Sequence, residues 1–168
     1  FRRVLFRSKK SSKLNLWALG IFGLIGIQII YGAFTAGLDA GHYYNTYPKM
    51  GQEWLPEAAF MYDGGVLNNV INNPIMIQWI HRWLGVAVVV GVGLIWMKCK
   101  DTPRPLLQYS GLLLVATVGF QFILGIVTLI TKVWLPVALA HQLGALALLS
   151  SSALVHYFSR HEESSKLT

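Results

Sequence analysis

Charge is what this sequence has least of. Asp, Glu, Lys and Arg make up 12% of its 168 residues, and only seven residues are acids. A soluble domain carries about 25% charged residues, so the composition excludes an ordinary water-soluble fold. Cysteine is nearly absent as well. The single Cys99 excludes an intrachain disulfide and a CxxC metal site, and between Lys98 and Lys100 it reads as an unremarkable interfacial thiol. No stripe of Lys and Arg interleaved with aromatics occurs, so the net charge of +7 gives no reason to expect nucleic acid as a partner. The long apolar runs contain no carboxylate either; the nearest acid, Asp39, stands where the first run ends.

What is present in excess is apolar length. Hydrophobic residues reach 54%, with a mean hydropathy of +0.50. Four runs approach the ~20 residues that a bilayer core requires: Leu14–Leu38, Ile75–Met97, Leu106–Ile130 and Leu135–Phe158. The predicted fold class is all-α, a polytopic membrane protein with a four-transmembrane-helix bundle over residues 9–160 and a polar tail at 161–168. Lys and Arg set the orientation. Lys9, Lys10, Lys13, Lys98, Lys100, Arg104, Arg160 and Lys166 gather on one side, and only Lys49 and Lys132 fall on the other. Both termini are therefore expected in the cytoplasm, with the long segment 39–74 outside.

The opening FRRVLFRS lacks the apolar core of a signal peptide. It is a translation of TTCAGACGTGTGCTCTTCCGATCT, which resembles the end of a sequencing-library adapter. Residues 1–8 are accordingly set apart from the fold, and without Arg2, Arg3 and Arg7 the formal charge falls from +7 to +4. The reading frame is expected to extend upstream, which would make this chain a C-terminal piece.

An internal repeat organises the spans. GIQIIYGAFT (26–35) and GFQFILGIVT (119–128) both read G-x-Q-x-x-x-G-x-x-T, and each precedes a span with one histidine near its outer end, His81 in QWIHRWLG and His141 in VALAHQLG. The unit is a helical hairpin used twice in one orientation, which implies a pseudo-twofold axis along the membrane normal. Each histidine lies about six residues into its span, roughly 9 Å deep at 1.5 Å per residue. Two imidazoles at one depth on opposite sides of an axis match the axial ligands of a six-coordinate haem iron; either alone reads equally well as an interhelical hydrogen-bonding residue. The free nitrogen of each ring should then find an acceptor that fixes its tautomer. Gly26, Gly32, Gly119 and Gly125 either admit a flat macrocycle or let helices approach closely. Gln28 and Gln121 bond either a ligand or each other. Arg82 costs roughly 2.5–3.5 kcal/mol at a bilayer centre, so it reaches outward, to a haem propionate or to lipid phosphate. His42, His156 and His161 read as interfacial or solvated.

These residues resemble the haem A synthase family. The matching stretches are GAFTAGLDAGHYYNTYP, NPIMIQWIHRWLG, GFQFILGIVTLI and PVALAHQLGALALL, which together with their order cover nearly everything after residue 14. Members of that family resemble two fused four-helix bundles. Their N-terminal half, marked by E-x-x-H-R, oxidises a ring methyl of haem O to the formyl group of haem A. Here that stretch reads Gln78-Trp79-Ile80-His81-Arg82, an amide in place of the acid, and the outer loop has no cysteine pair. The resemblance therefore implies the C-terminal half, which holds a haem b and its iron through His81 and His141, with Arg82, Gln28 and Gln121 around it and no catalytic residue of its own. It also implies haem O as substrate of the whole protein, haem O synthase and a quinol as partners, the missing N-terminal half, and the cytoplasmic (inner) membrane of a bacterium. Two alternatives stand beside it: an autonomous four-helix bis-His cytochrome b for membrane electron transfer, and a transporter or scaffold whose histidines bond one another's helices.

Overall fold

The computed structural model describes residues 13–160; the expectations for residues 1–8 and for the 161–168 tail lie outside them. The four predicted spans are helices: α1 (Lys13–Gly37), α3 (Pro74–Cys99), α4 (Pro105–Ile130) and α5 (Leu135–Arg160). All four are long and apolar enough to cross a membrane. At 1.5 Å per residue, 26 residues reach roughly 39 Å, more than the ~30 Å hydrocarbon core. Between α1 and α3 the outer segment folds into two short 3-10 turns (Ala40–His42 and Glu57–Phe60) and a two-turn helix, α2 (Gly65–Asn72). No β-strand occurs among the described residues.

Local chemistry fixes the boundaries. Pro74 and Pro105 open α3 and α4, where a missing N–H costs nothing and φ is already helical. Asn73 caps α3, its side chain accepting from the backbone N–H of Ile75 at 2.9 Å and of Met76 at 3.5 Å. The α4–α5 corner closes as a Schellman motif: Lys132 N–H donates to Leu129 and Val133 N–H to Thr128. That geometry needs a left-handed residue after the helix, and Lys132 (φ 53°) takes the place where glycine is usual. Val133 follows at φ 60°, a conformation rare for a β-branched residue.

Around the bundle the order is α1, α3, α4, α5 and back to α1, so α3 and α5 stand diagonally opposite. The first hairpin, α1 with α3, thus maps onto the second, α4 with α5, as the repeat requires. The packed core fills one half of the bundle: Ala18, Ile21 and Ile25 meet Val88, Val92 and Ile95, with Leu107, Leu114, Leu148 and Val155 completing it. Polar links hold the same half, Thr117 to Ser151 at 2.9 Å and Ser159 to Asn15 at 3.3 Å. The lysine- and arginine-bearing helix ends gather here; Lys98 lies over Trp17 and Arg104 donates to the carbonyl of Phe158. The other half, toward the 39–74 segment, is hollow.

Candidate haem-binding site

That hollow is a cavity of about 440 Å³, within the 300–1,000 Å³ typical of ligand pockets. Ile25, Ile29, Val88, Val89, Val118 and Phe122 supply much of its wall, and all five predicted site residues, His81, His141, Arg82, Gln28 and Gln121, line it. His81 lies seven residues into α3 and His141 six into α5, so the two diagonal helices present them at nearly one depth.

The repeat is equally literal at the level of single bonds. Gln28 on α1 donates its Nε2 to the backbone carbonyl of His81 at 3.0 Å, and Gln121 on α4 donates to the carbonyl of His141 at 2.8 Å. Four residues further on, each helix presents glycine to the imidazole. A Cβ at Gly32 would lie 3.1 Å from His81 Cε1, and one at Gly125 would lie 3.0 Å from His141 Cε1. Thr35 and Thr128 close the motif by bonding the carbonyls of Tyr31 and Leu124 one turn back. Each hairpin therefore holds its histidine's backbone with an amide and seats its ring on a glycine.

Several expectations change here. Gly26 and Gly119 have nothing within 4 Å of a built Cβ, so only the second glycine of each repeat makes room for a ring. Gln28 and Gln121 bond the neighbouring histidine's backbone rather than each other. The acceptor expected for the free ring nitrogen is missing: Nδ1 of both His81 and His141 is buried without a hydrogen-bond partner. His42, read as interfacial or solvated, is exposed and, like Asp39, also borders the cavity.

Arg82 does reach outward, but into the loop. Its Nη1 donates to the carbonyls of Thr46 (2.7 Å) and Lys49 (3.2 Å), and its Nη2 to that of Tyr44 (2.7 Å). Gln78, one turn earlier on the same face, donates to the same Tyr44 carbonyl at 3.0 Å. Asn45 ties the loop to the far hairpin, donating to the carbonyl of Leu129 at 3.0 Å. Tyr47 meets Phe122 edge-on, ring centres 6.1 Å apart. The first outer segment is thus clamped over the cavity from both hairpins. The equivalents of Gln78 and Arg82 in the second repeat are Ala138 and Gln142, so the clamp exists on one side only. Sequence reasoning singled out Gln78 as a missing acid and overlooked it as a clamp.

The polar atoms tell what the cavity suits. Gln28 Oε1, Gln78 Oε1, Gln121 Oε1, Arg82 Nε and both histidine Nδ1 atoms are buried without partners. Each such atom costs about 1–3 kcal/mol, and native folds leave few. Six such atoms belong to residues that line one apolar cavity. Among the described residues no three His, Cys, Asp or Glu converge on a metal position, so a bare ion has no ligand set. Two imidazoles recessed on glycines in an apolar slot fit a metal that arrives with its own macrocycle, a haem.

The comparisons agree with this geometry. The family model described as cytochrome oxidase assembly protein (COX15-CtaA) matches residues 3–153. The chain is 41% identical to heme A synthase COX15 of Bos taurus over 147 residues, which are 87% of this chain and 35% of that protein. It is 31% identical to the heme A synthase of Paracoccus denitrificans over 160 residues, 94% of this chain and 42% of that one. Against heme A synthase COX15 of Arabidopsis thaliana it is 34% identical over 161 residues, 94% and 34% of the respective lengths. The chain spans between about a third and two fifths of these curated relatives. No solved structure matches it. Matched by the family model over most of its length and by these relatives, the chain belongs to the haem A synthase family of cytochrome oxidase assembly proteins.

Proposed function

We propose that this chain is the C-terminal, haem b-binding bundle of a haem A synthase, whose other bundle oxidises a methyl group of haem O to the formyl group of haem A for terminal oxidase assembly. One observation carries the reading: His81 and His141, from equivalent positions of a repeat on diagonally opposite helices, line one apolar cavity. His81 and His141 would hold the iron. A haem b ligated by two imidazoles transfers single electrons and leaves no iron position open to substrate.

The chain's own residues do the rest. Gln28 and Gln121 fix the backbone beneath each ligand, and Gly32 and Gly125 leave each ring its place. The clamp of Gln78 and Arg82 on Tyr44 keeps the loop over the cavity and keeps water out. Arg82 keeps two of its five donors, Nε–H and the second Nη2–H, outside the three loop bonds, and its cation is the natural partner for a propionate. Gln78 has no acidic proton to give, and the lone carboxylate on the cavity wall, Asp39, sits at its mouth. The site is therefore suited to relaying electrons and not to oxidising a methyl group. Haem O chemistry falls to the other bundle, with a quinol as electron source and haem O synthase as supplier of substrate. The lysine- and arginine-rich end, with Lys13 and Arg160, is assigned to the cytoplasmic side of a bacterial inner membrane.

Purified in detergent and titrated with haem b, the chain should take up one haem with a six-coordinate, low-spin spectrum. Supplied with haem O and a quinol, it should form no haem A. Haem A formation by this chain alone would show that it is not the electron-relaying half.

A further inference from the structure

α2 has its faces the wrong way round for a helix in water. The middle of its polar side is turned inward: Asn69 is 3% exposed, bonds both the N–H and the carbonyl of Tyr62, and accepts from the fully buried Asn73, while Asn72 at the edge of that side stays exposed. Its apolar side is turned outward, with Val66 77%, Leu67 71% and Ile71 43% exposed. At 100° per residue Val66, Leu67, Val70 and Ile71 share one arc, and Asn68, Asn69 and Asn72 the opposite one. Just before the helix, Phe60 and Met61 are exposed as well, 57% and 68%. An inverted amphipathic helix is stable only where its surroundings are apolar.

Its position says what those surroundings are. A single extended residue, Asn73, joins α2 to α3, so α2 lies at the level where a membrane-spanning helix enters the bilayer. No charged residue occurs from Gly64 to Ile80, so no charge in this stretch opposes contact of its apolar face with acyl chains. The exposed face of α2 thus continues the apolar surface of a span.

We propose that α2 is an interfacial helix whose Val66, Leu67 and Ile71 insert among the acyl chains of the leaflet at the cavity end, so that the lipid surface anchors the loop that covers the cavity. The inference is independent of what the cavity holds.

The test uses the full chain with Cys99→Ser, reconstituted in phosphatidylcholine vesicles, and a nitroxide label placed singly at Val66→Cys, Leu67→Cys or Asn72→Cys. All three positions are exposed, so the label does not displace the core. Collision of the label with oxygen, which partitions into acyl chains, is compared with collision with a water-soluble nickel chelate. Insertion expects oxygen to dominate at positions 66 and 67 and the chelate to dominate at 72. Chelate access at 66 and 67 equal to that at 72 would place α2 in water and overturn the proposal. Shielding of 66 and 67 from both reagents would mean that protein covers this face, which overturns it too.

Discussion

Gln121→Leu separates a residue that positions a ligand from one that touches it. The substitution removes the Nε2 donor 2.8 Å from the His141 carbonyl and, with it, a buried Oε1 that has no partner. The carbonyl is not orphaned, because it still accepts within α5. Interhelical hydrogen bonds in membranes are worth about 0.6 kcal/mol on average and up to about 1.7. If that energy serves wholly to hold His141 in its binding register, haem affinity falls roughly 3- to 16-fold, at 1.4 kcal/mol per factor of ten. The chain without haem behaves differently. Removing an unpaired acceptor regains about 1–3 kcal/mol, so its unfolding midpoint should hold or rise. Gln28→Leu should do the same through His81, and the double variant should show the two losses added, since the bonds share no partner. Haem titration followed by absorbance, with thermal unfolding alongside, measures both. A loss beyond a hundredfold for either single variant exceeds what a backbone clasp can supply and would place the glutamine on the ligand itself. No loss at all would leave the clasp without a role.

Other outcomes follow from the same coordinates. Gly125→Ala places a methyl 3.0 Å from His141 Cε1 and should cost about 1–3 kcal/mol in unfolding by overpacking, whereas Gly119→Ala, which meets open space, should gain up to about 1 kcal/mol of helix propensity. Arg82→Ala releases the carbonyls of Thr46 and Lys49 and leaves that of Tyr44 to Gln78 alone; backbone amide exchange over residues 44–50 should quicken while the haem stays six-coordinate, and unchanged exchange would deny the clamp. Cys99 is fully buried, so a thiol reagent should leave it unmodified from either side of the membrane until the chain unfolds. In a Cys99→Ser background, Glu53→Cys should react with an impermeant reagent from outside and Asp101→Cys from the cytoplasm, and the reverse pattern would invert the assigned orientation.

The spans were legible because a bilayer asks for one thing, apolar length, and each predicted run matches its helix to within two residues at either end. The lining of the cavity was legible for a different reason. A repeat that returns glutamine, glycine and histidine at fixed offsets can only bring them together twice, and all five singled-out residues do line one cavity. What stayed hidden depends on pairing between distant segments. Gln28 was read as a partner for a ligand or for Gln121, because spacing along α1 says nothing about which carbonyl of α3 lies opposite. Arg82 was assigned outward correctly, yet its acceptors are backbone carbonyls at 44, 46 and 49, which carry no sequence signal. α2 was missed since eight residues with three asparagines read as loop, and its inverted faces are visible only once Asn69 is seen buried.

The central claim is that His81 and His141 form one axial pair, and the coordination of bound haem in histidine variants tests it most directly. Loaded with haem b, the unaltered chain should show a six-coordinate low-spin spectrum. His81→Ala and His141→Ala should each give a five-coordinate high-spin haem, held more weakly but still within the apolar walls, and added imidazole should restore the low-spin spectrum in both by filling the vacated place. A six-coordinate haem that survives the double variant, or a single variant that leaves the spectrum unchanged, would contradict the account.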